Sequence, residues 1–161
     1  MSIILGIDPG TTTVGFALIE KNGRTVNILN YGVITTPAKM DIALKLMDIV
    51  HDLEDLIDTY HPTICGIEKL FFSTNQKTGI DVAQARGAIL LTLQQKGVQI
   101  REFTPLQVKR GICGNGAAKK EQVQNALKII FRMDTIPKPD DAADAIAIAY
   151  LTSLQKNIIS L

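Results

Sequence analysis

The sequence predicts an α/β protein built on a mixed five-stranded sheet flanked by helices. Three observations carry that expectation. Short apolar runs of strand length alternate with longer stretches of helical period; an early pair of runs is joined as a hairpin; and the later runs are separated by helices, as crossover connections between parallel strands require. The 161 residues match one domain, so a single domain over 1–161 is expected, large enough to bury a core without disulfides.

Ile3 to Asp8 reads as a buried strand. Val14 to Glu20 and Val26 to Ile34 make a hairpin around Lys21-Asn22-Gly23-Arg24, because Asn-Gly accommodates the positive φ of a tight turn. From Asp41 to Tyr60, apolar residues recur at Ile42, Leu46, Ile49, Val50, Leu53, Leu56 and Ile57, a helix with an acidic outer face closed by His61-Pro62. Thr63 to Glu68 is a fourth strand, followed by a polar loop through Gln76 and a helix from Gly79 to Lys96 that Gly97 ends. Gln99 to Phe103 is the fifth strand. Thr104-Pro105 then starts a helix, with Thr as N-cap and Pro at the first helical position. A basic glycine loop from Gly111 to Ala118 leads into a helix from Lys119 to Phe131, and Pro137 and Pro139 break the chain before a last helix, Asp140 to Leu154.

The formal charge of +1 hides a segregation: residues 1–68 carry −5, residues 69–132 carry +8 and residues 133–161 carry −2. A basic middle between acidic ends is the pattern of a polyanion-binding face beside an acidic metal site, with Lys109, Arg110, Lys119 and Lys120 in or beside the glycine loop as phosphate contacts. Cys65 and Cys113 share no metal-ligand spacing with His51 or His61 and read as unpaired thiols. No apolar run approaches the ~20 residues of a membrane span, and the start reads as a strand instead of a signal peptide, so a cytoplasmic protein is expected.

Four carboxylates stand at the mouths of the apolar segments: Asp8, Glu68, and Asp141 with Asp144. If the first and fourth strands are parallel neighbours, Asp8 and Glu68 meet beyond their carboxyl ends, where open α/β sheets bind ligands. Asp141 and Asp144, at i and i+3, share a helix face. Taken singly, Asp8 is also a good turn residue before Pro9-Gly10, Asp140 and Asp141 are natural acids for a helix start, and Glu68 has Lys69 beside it as an ion-pair partner. Asp144 has no such reading: it sits among Ala142, Ala143, Ala145 and Ile146, where close packing is expected and a charge needs a partner. Four ionised acids at one place call for cations, and hard oxygen ligands suit magnesium or manganese.

The opening ILGIDPGTTTVGFALI, the stretch IEKLFFSTN, the helix start DVAQARG, the segments QVK and KKEQVQ, and the closing DAADAIAIA stand in the order and spacing of one family. From Ile3 to Leu151 the chain resembles the RuvC-type Holliday-junction resolvases. The resemblance implies a ribonuclease H-like fold and a homodimer. It also implies a structure-specific endonuclease of DNA recombination and repair, which makes paired nicks across a four-way junction and leaves 5′-phosphate and 3′-hydroxyl ends. The family's four catalytic acids fall on Asp8, Glu68, Asp141 and Asp144, with Asp140 left as a helix cap. Two Mg2+ or Mn2+ ions per active site follow, Asp8 bridging them, Glu68 holding one and Asp141 with Asp144 the other. The same resemblance makes residues 79–96 the dimer helix, Phe71 a wedge into the junction's base stack with Phe72 in the core, Lys109 and Lys120 family basic positions, and RuvA and RuvB partner proteins. The chain departs from the family pattern at Thr11-Thr12-Thr13, and no role is drawn there.

Two readings from other classes compete. Asp8-Pro9-Gly10-Thr11-Thr12 resembles the first phosphate motif of the sugar-kinase and actin-type ATPases, but those proteins need a second related domain and a second acidic phosphate loop. A module that binds branched DNA without cutting it has no need of all four acids.

Overall fold

The computed structural model describes residues 1–70 and 76–155, with the backbone alone for 76–78. The elements follow the expected order: β1 (Ser2–Asp8), β2 (Thr13–Asn22), β3 (Thr25–Thr35), α1 (Ile42–Tyr60), β4 (Ile64–Glu68), α2 (Gln76–Gln95), β5 (Gln99–Phe103), α3 (Pro105–Cys113), α4 (Lys120–Ile130) and α5 (Asp140–Leu154). One mixed sheet runs β3-β2-β1-β4-β5. β1 is antiparallel to β2 and parallel to β4, and β4 is parallel to β5. At the hairpin tip Gly23 has φ 59°, the positive value its turn demands.

Alternation along the strands sends side chains to two layers. Ile4, Ala17, Ile19 and Ile64 pack with Phe103, Val108, Leu127 and Ile146 under α3, α4 and α5. Leu5, Ile7, Leu18, Cys65 and Ile67 pack with Ile49, Leu53, Ile89 and Leu93 under α1 and α2. By the same parity Asp8, two residues beyond Gly6 and four beyond Ile4, belongs to the α5 layer. Glu68, four beyond Ile64, belongs there too.

α5 lies unusually close to the sheet. Ala142, Ala143, Ala145, Ala147 and Ala149 are buried, and Ala142, Ala145 and Ala149 pass against glycines of the sheet. A Cβ on Gly6 would fall 2.2 Å from the Ala145 carbonyl oxygen, and one on Gly15 would fall 2.0 Å from that of Asp141. Small residues on both sides therefore bring the first turn of this helix onto the ends of β1 and β2.

The segment after Asp8 is pinned from two directions. Thr36 donates from its backbone N–H to the Thr12 carbonyl at 3.0 Å and from its hydroxyl to the Thr11 carbonyl at 2.6 Å. Lys45, buried in α1, donates to the Ala38 carbonyl at 3.1 Å and to Thr12 Oγ1 at 3.3 Å. Thr11 and Thr12, given no role from the sequence, are thus structural fastenings.

Three expectations need correction. α2 begins at Gln76, three residues before Gly79. The glycine stretch is not a loop from Gly111, because α3 continues to Cys113 and stops only where Gly114 takes φ 71° as its C-cap; Gly111 fits inside the helix against Leu151. Lys109 and Arg110 consequently stand on a helix. Asp140 is not the cap of α5 either: the N-cap is Pro139, and Asp140 lies in the first turn with its side chain turned toward α4.

Candidate active site

Asp8 ends β1 and Glu68 ends β4, strands that run parallel with Ile7 beside Ile67. Asp8 also faces Gly15 across the β1–β2 ladder, and Gly15 is the residue against which the Asp141 backbone rests. The three segments therefore meet at one end of the sheet. Glu68 is held there by its backbone, since Arg86 of α2 donates Nε to the Glu68 carbonyl at 3.0 Å and pairs with Glu102 of β5. The next residue closes the strand end, with the Lys69 N–H on the Phe103 carbonyl at 2.8 Å.

The crowding of charge is felt at Asp8, Glu68 and Asp144. Burial, then the negative charges of Asp144, Glu68 and Asp141, push the Asp8 carboxyl from 3.8 up to about 8, against a weaker opposing pull from Lys120. Glu68 is raised by burial and by Asp144, with Lys109 acting the other way. Asp144 is raised by burial, Lys120 opposing and Asp141 adding to the shift.

A cleft of about 250 Å³ opens beside the acids, lined by Glu68, Asp144, Lys109, Lys120, Pro105, Val108 and Val123. Two of the four basic residues singled out from the sequence, Lys109 and Lys120, thus reach the acid site. Arg110 and Lys119 are exposed and do not line the cleft. Lys120 Nζ lies 3.2 Å from Asp140 Oδ2 and 3.6 Å from Asp144 Oδ2. Asp140 in turn accepts from Gln124 Nε2 at 2.8 Å, and these hydrogen bonds from Lys120 and Gln124 hold its carboxyl below the ordinary carboxylate range. Phe71 and Phe72 lie outside the described residues.

The donor set fits hard divalent cations. Four carboxylates on three separate elements face two lysines in the cleft lining, and burial together with the field of the other acids raises Asp8 far above the ordinary carboxylate range, a cost that bound cations would relieve. A second acidic group, His51 with Asp52 and Asp55, lies exposed on the outer face of α1. It belongs to a solvated helix surface.

A family model described as crossover junction endodeoxyribonuclease RuvC matches residues 4–152. The chain belongs to the RuvC family. Among RuvC proteins it is 48% identical over 147 residues to that of Halothermothrix orenii, covering 91% of this chain and 89% of the relative. It is 42% identical over 158 residues to that of Brevibacillus brevis, covering 98% and 95%. The RuvC of Thermus thermophilus, solved in complex with a Holliday junction substrate, superposes with a TM-score of 0.89 at 27% identity, over 95% of this chain and 93% of that one. The sheet with its flanking helices is accordingly the ribonuclease H-like fold of RuvC. Among the described residues, no helix is long and apolar enough to cross a membrane.

Proposed function

We propose that this chain is a single-domain, metal-dependent crossover junction endodeoxyribonuclease that resolves Holliday junctions by paired, symmetric nicks, in recombination and repair in the cytoplasm. The observation that carries the reading is the meeting of Asp8, Glu68, Asp141 and Asp144 at one sheet end, beside a cleft that also holds Lys109 and Lys120. Asp8, Glu68, Asp141 and Asp144 would hold Mg2+ or Mn2+, two per site. When held there, the ions would activate a water and stabilise the leaving 3′ oxygen, a chemistry that would leave a 5′-phosphate and a 3′-hydroxyl.

The rest is the work of the chain's own side chains. Lys109 on α3 and Lys120 on α4 place positive charge on the cleft wall, where the backbone of junction DNA is to be bound, and exposed Arg110 and Lys119 extend the basic surface beyond it. Phe71, following the fourth strand, is assigned the wedge that unstacks the junction's bases, at a cost of ~a few kcal/mol per step. Dimerisation through α2 is supported by a stripe of Ile80, Gln84, Gly87 and Leu91 at helical spacing, all exposed, while Ile89 and Leu93 point into the core. Two sites related by a two-fold axis match the two equivalent strands of a junction. RuvA and RuvB are proposed as partners from the family alone.

The test is cleavage of a synthetic four-way junction, a linear duplex and an RNA–DNA hybrid by wild type and Asp8→Asn. Wild type is expected to nick the junction in magnesium, while the variant binds it with near wild-type affinity and does not cut. Cutting by a clean Asp8→Asn preparation overturns the site. Preference for the hybrid overturns the substrate.

A further inference from the structure

Two helices face each other across the edge of the cleft through matched pairs one turn apart: Lys120 and Gln124 on α4, Asp140 and Asp144 on α5. Asp140 spans the pair opposite with its two oxygens. Oδ1 accepts from Gln124 Nε2 at 2.8 Å, and Oδ2 faces Lys120 Nζ at 3.2 Å. Gln124 is buried, only 6% exposed, so it has little freedom to turn, and its bond fixes the direction in which the second oxygen points. The Lys120 ammonium reaches past Asp140 to Asp144 at 3.6 Å and lines the same cleft as Glu68 and Lys109.

We propose that Asp140 is a positioning residue: anchored by Gln124, it tethers the Lys120 ammonium at the cleft, where that charge meets a phosphate of the DNA. The inference rests on the reading of Asp144 and Lys120 as parts of the nuclease site. Its physical basis is competition. A carboxylate that ligates a divalent ion gives most of its charge to that ion, so Asp144 ceases to attract the lysine once the site is loaded, and the ion itself repels the ammonium. A lysine on a flexible four-carbon stem would then swing into solvent. Asp140 is held toward α4 by its bond to Gln124, and it is the partner that remains.

Two readouts test this. In magnesium without DNA, reductive methylation of Lys120 followed by mass spectrometry is expected to run several-fold faster in Asp140→Asn than in wild type, and at the wild-type rate in Asp140→Glu. In single-turnover cleavage at saturating junction and magnesium, Asp140→Asn is expected to be about tenfold slower, with junction affinity within about twofold. Asp140→Glu is expected to restore most of the rate. Combining Asp140→Asn with Lys120→Ala is expected to be no slower than Lys120→Ala alone, because a tether has nothing left to hold. If Lys120→Ala is slow and the two substitutions multiply, or if methylation is unchanged in Asp140→Asn, Asp140 does not position Lys120. If Lys120→Ala cuts at the wild-type rate, the placement of Lys120 in the nuclease site fails, and the inference falls with it.

Discussion

Gly15 and Asp141 meet backbone to backbone: a methyl group on Gly15 would fall 2.0 Å from the Asp141 carbonyl oxygen. Gly15 is also the ladder partner of Asp8, so a residue without a side chain sets the spacing between two of the acids proposed to hold the metal.

Gly15→Ala is therefore expected to damage activity beyond its effect on stability. The obstacle is helix backbone, which cannot yield like a flexible side chain, and overpacking of this kind costs about 1–3 kcal/mol. Calorimetry should show a fall of roughly 2–4 °C per kcal/mol. Junction nicking measured well below the new midpoint should fall by about tenfold or more, as expected for a misplaced catalytic group.

The crowded acids make the metal-free protein sensitive to pH in a defined direction. Asp8 carries its proton up to about 8 in the folded chain and only to 3.8 ordinarily, so between those values the folded state binds more protons than the unfolded one. Stability in chelator should fall as pH rises through that window and level off above it. Asp8→Asn removes the Asp8 share of this slope and leaves the smaller shares of Glu68 and Asp144, and at pH 8 it should be more stable than wild type by about 1–2 kcal/mol. Denaturant titrations at a series of pH values, with and without magnesium, measure both effects.

Lys45 is 7% exposed and holds the Ala38 carbonyl and Thr12 Oγ1. Lys45→Met keeps the volume but strands the acceptors, which costs about 1–3 kcal/mol. Thermal melting reads the loss. A hydrogen-exchange comparison should show faster exchange at the Thr36 amide, which bonds the same segment through the Thr12 carbonyl.

The two thiols should react differently. Cys65 is fully buried in β4 and burial pushes its thiol far up, whereas Cys113 at the end of α3 is half-buried. A thiol reagent added to the folded protein should label Cys113, and Cys65 should react only at the rate of unfolding.

Asp8 and Glu68 were legible because strand alternation and parallel pairing follow from local patterns: an acid two residues beyond a buried glycine keeps that glycine's face. Asp144 was legible for a related reason, an acid among small apolar residues, and Asp141 by its place three residues earlier on the same helix face. The partnership of Lys120 with Asp140 was not, because it depends on how α4 lies across α5, and no spacing in the chain encodes that crossing. Asp140 looked like a cap because proline and acids before an apolar run mark helix starts, and the backbone cap went to Pro139. Lys45 has a sequence signal of its own: it stands four residues before Ile49 in the row Ile49, Leu53, Ile57, the buried face of α1.

The hairpin tip lies at the far end of the sheet from the acids, since Lys21 pairs with Ser2 while Gly15 pairs with Asp8. A Cβ on Gly23 would meet nothing within 4 Å. Inserted residues at the tip leave the parity of β1 unchanged and lie far from the first turn of α5, although neighbouring Lys21 bonds the Ser153 carbonyl at the other end of that helix, whereas a single residue added inside β1 would turn Asp8 into the apolar layer under α1 and α2. The tip is thus a ready attachment point for a fluorophore or surface tether, one from which resolution of individual junctions can be watched with the cutting end left clear.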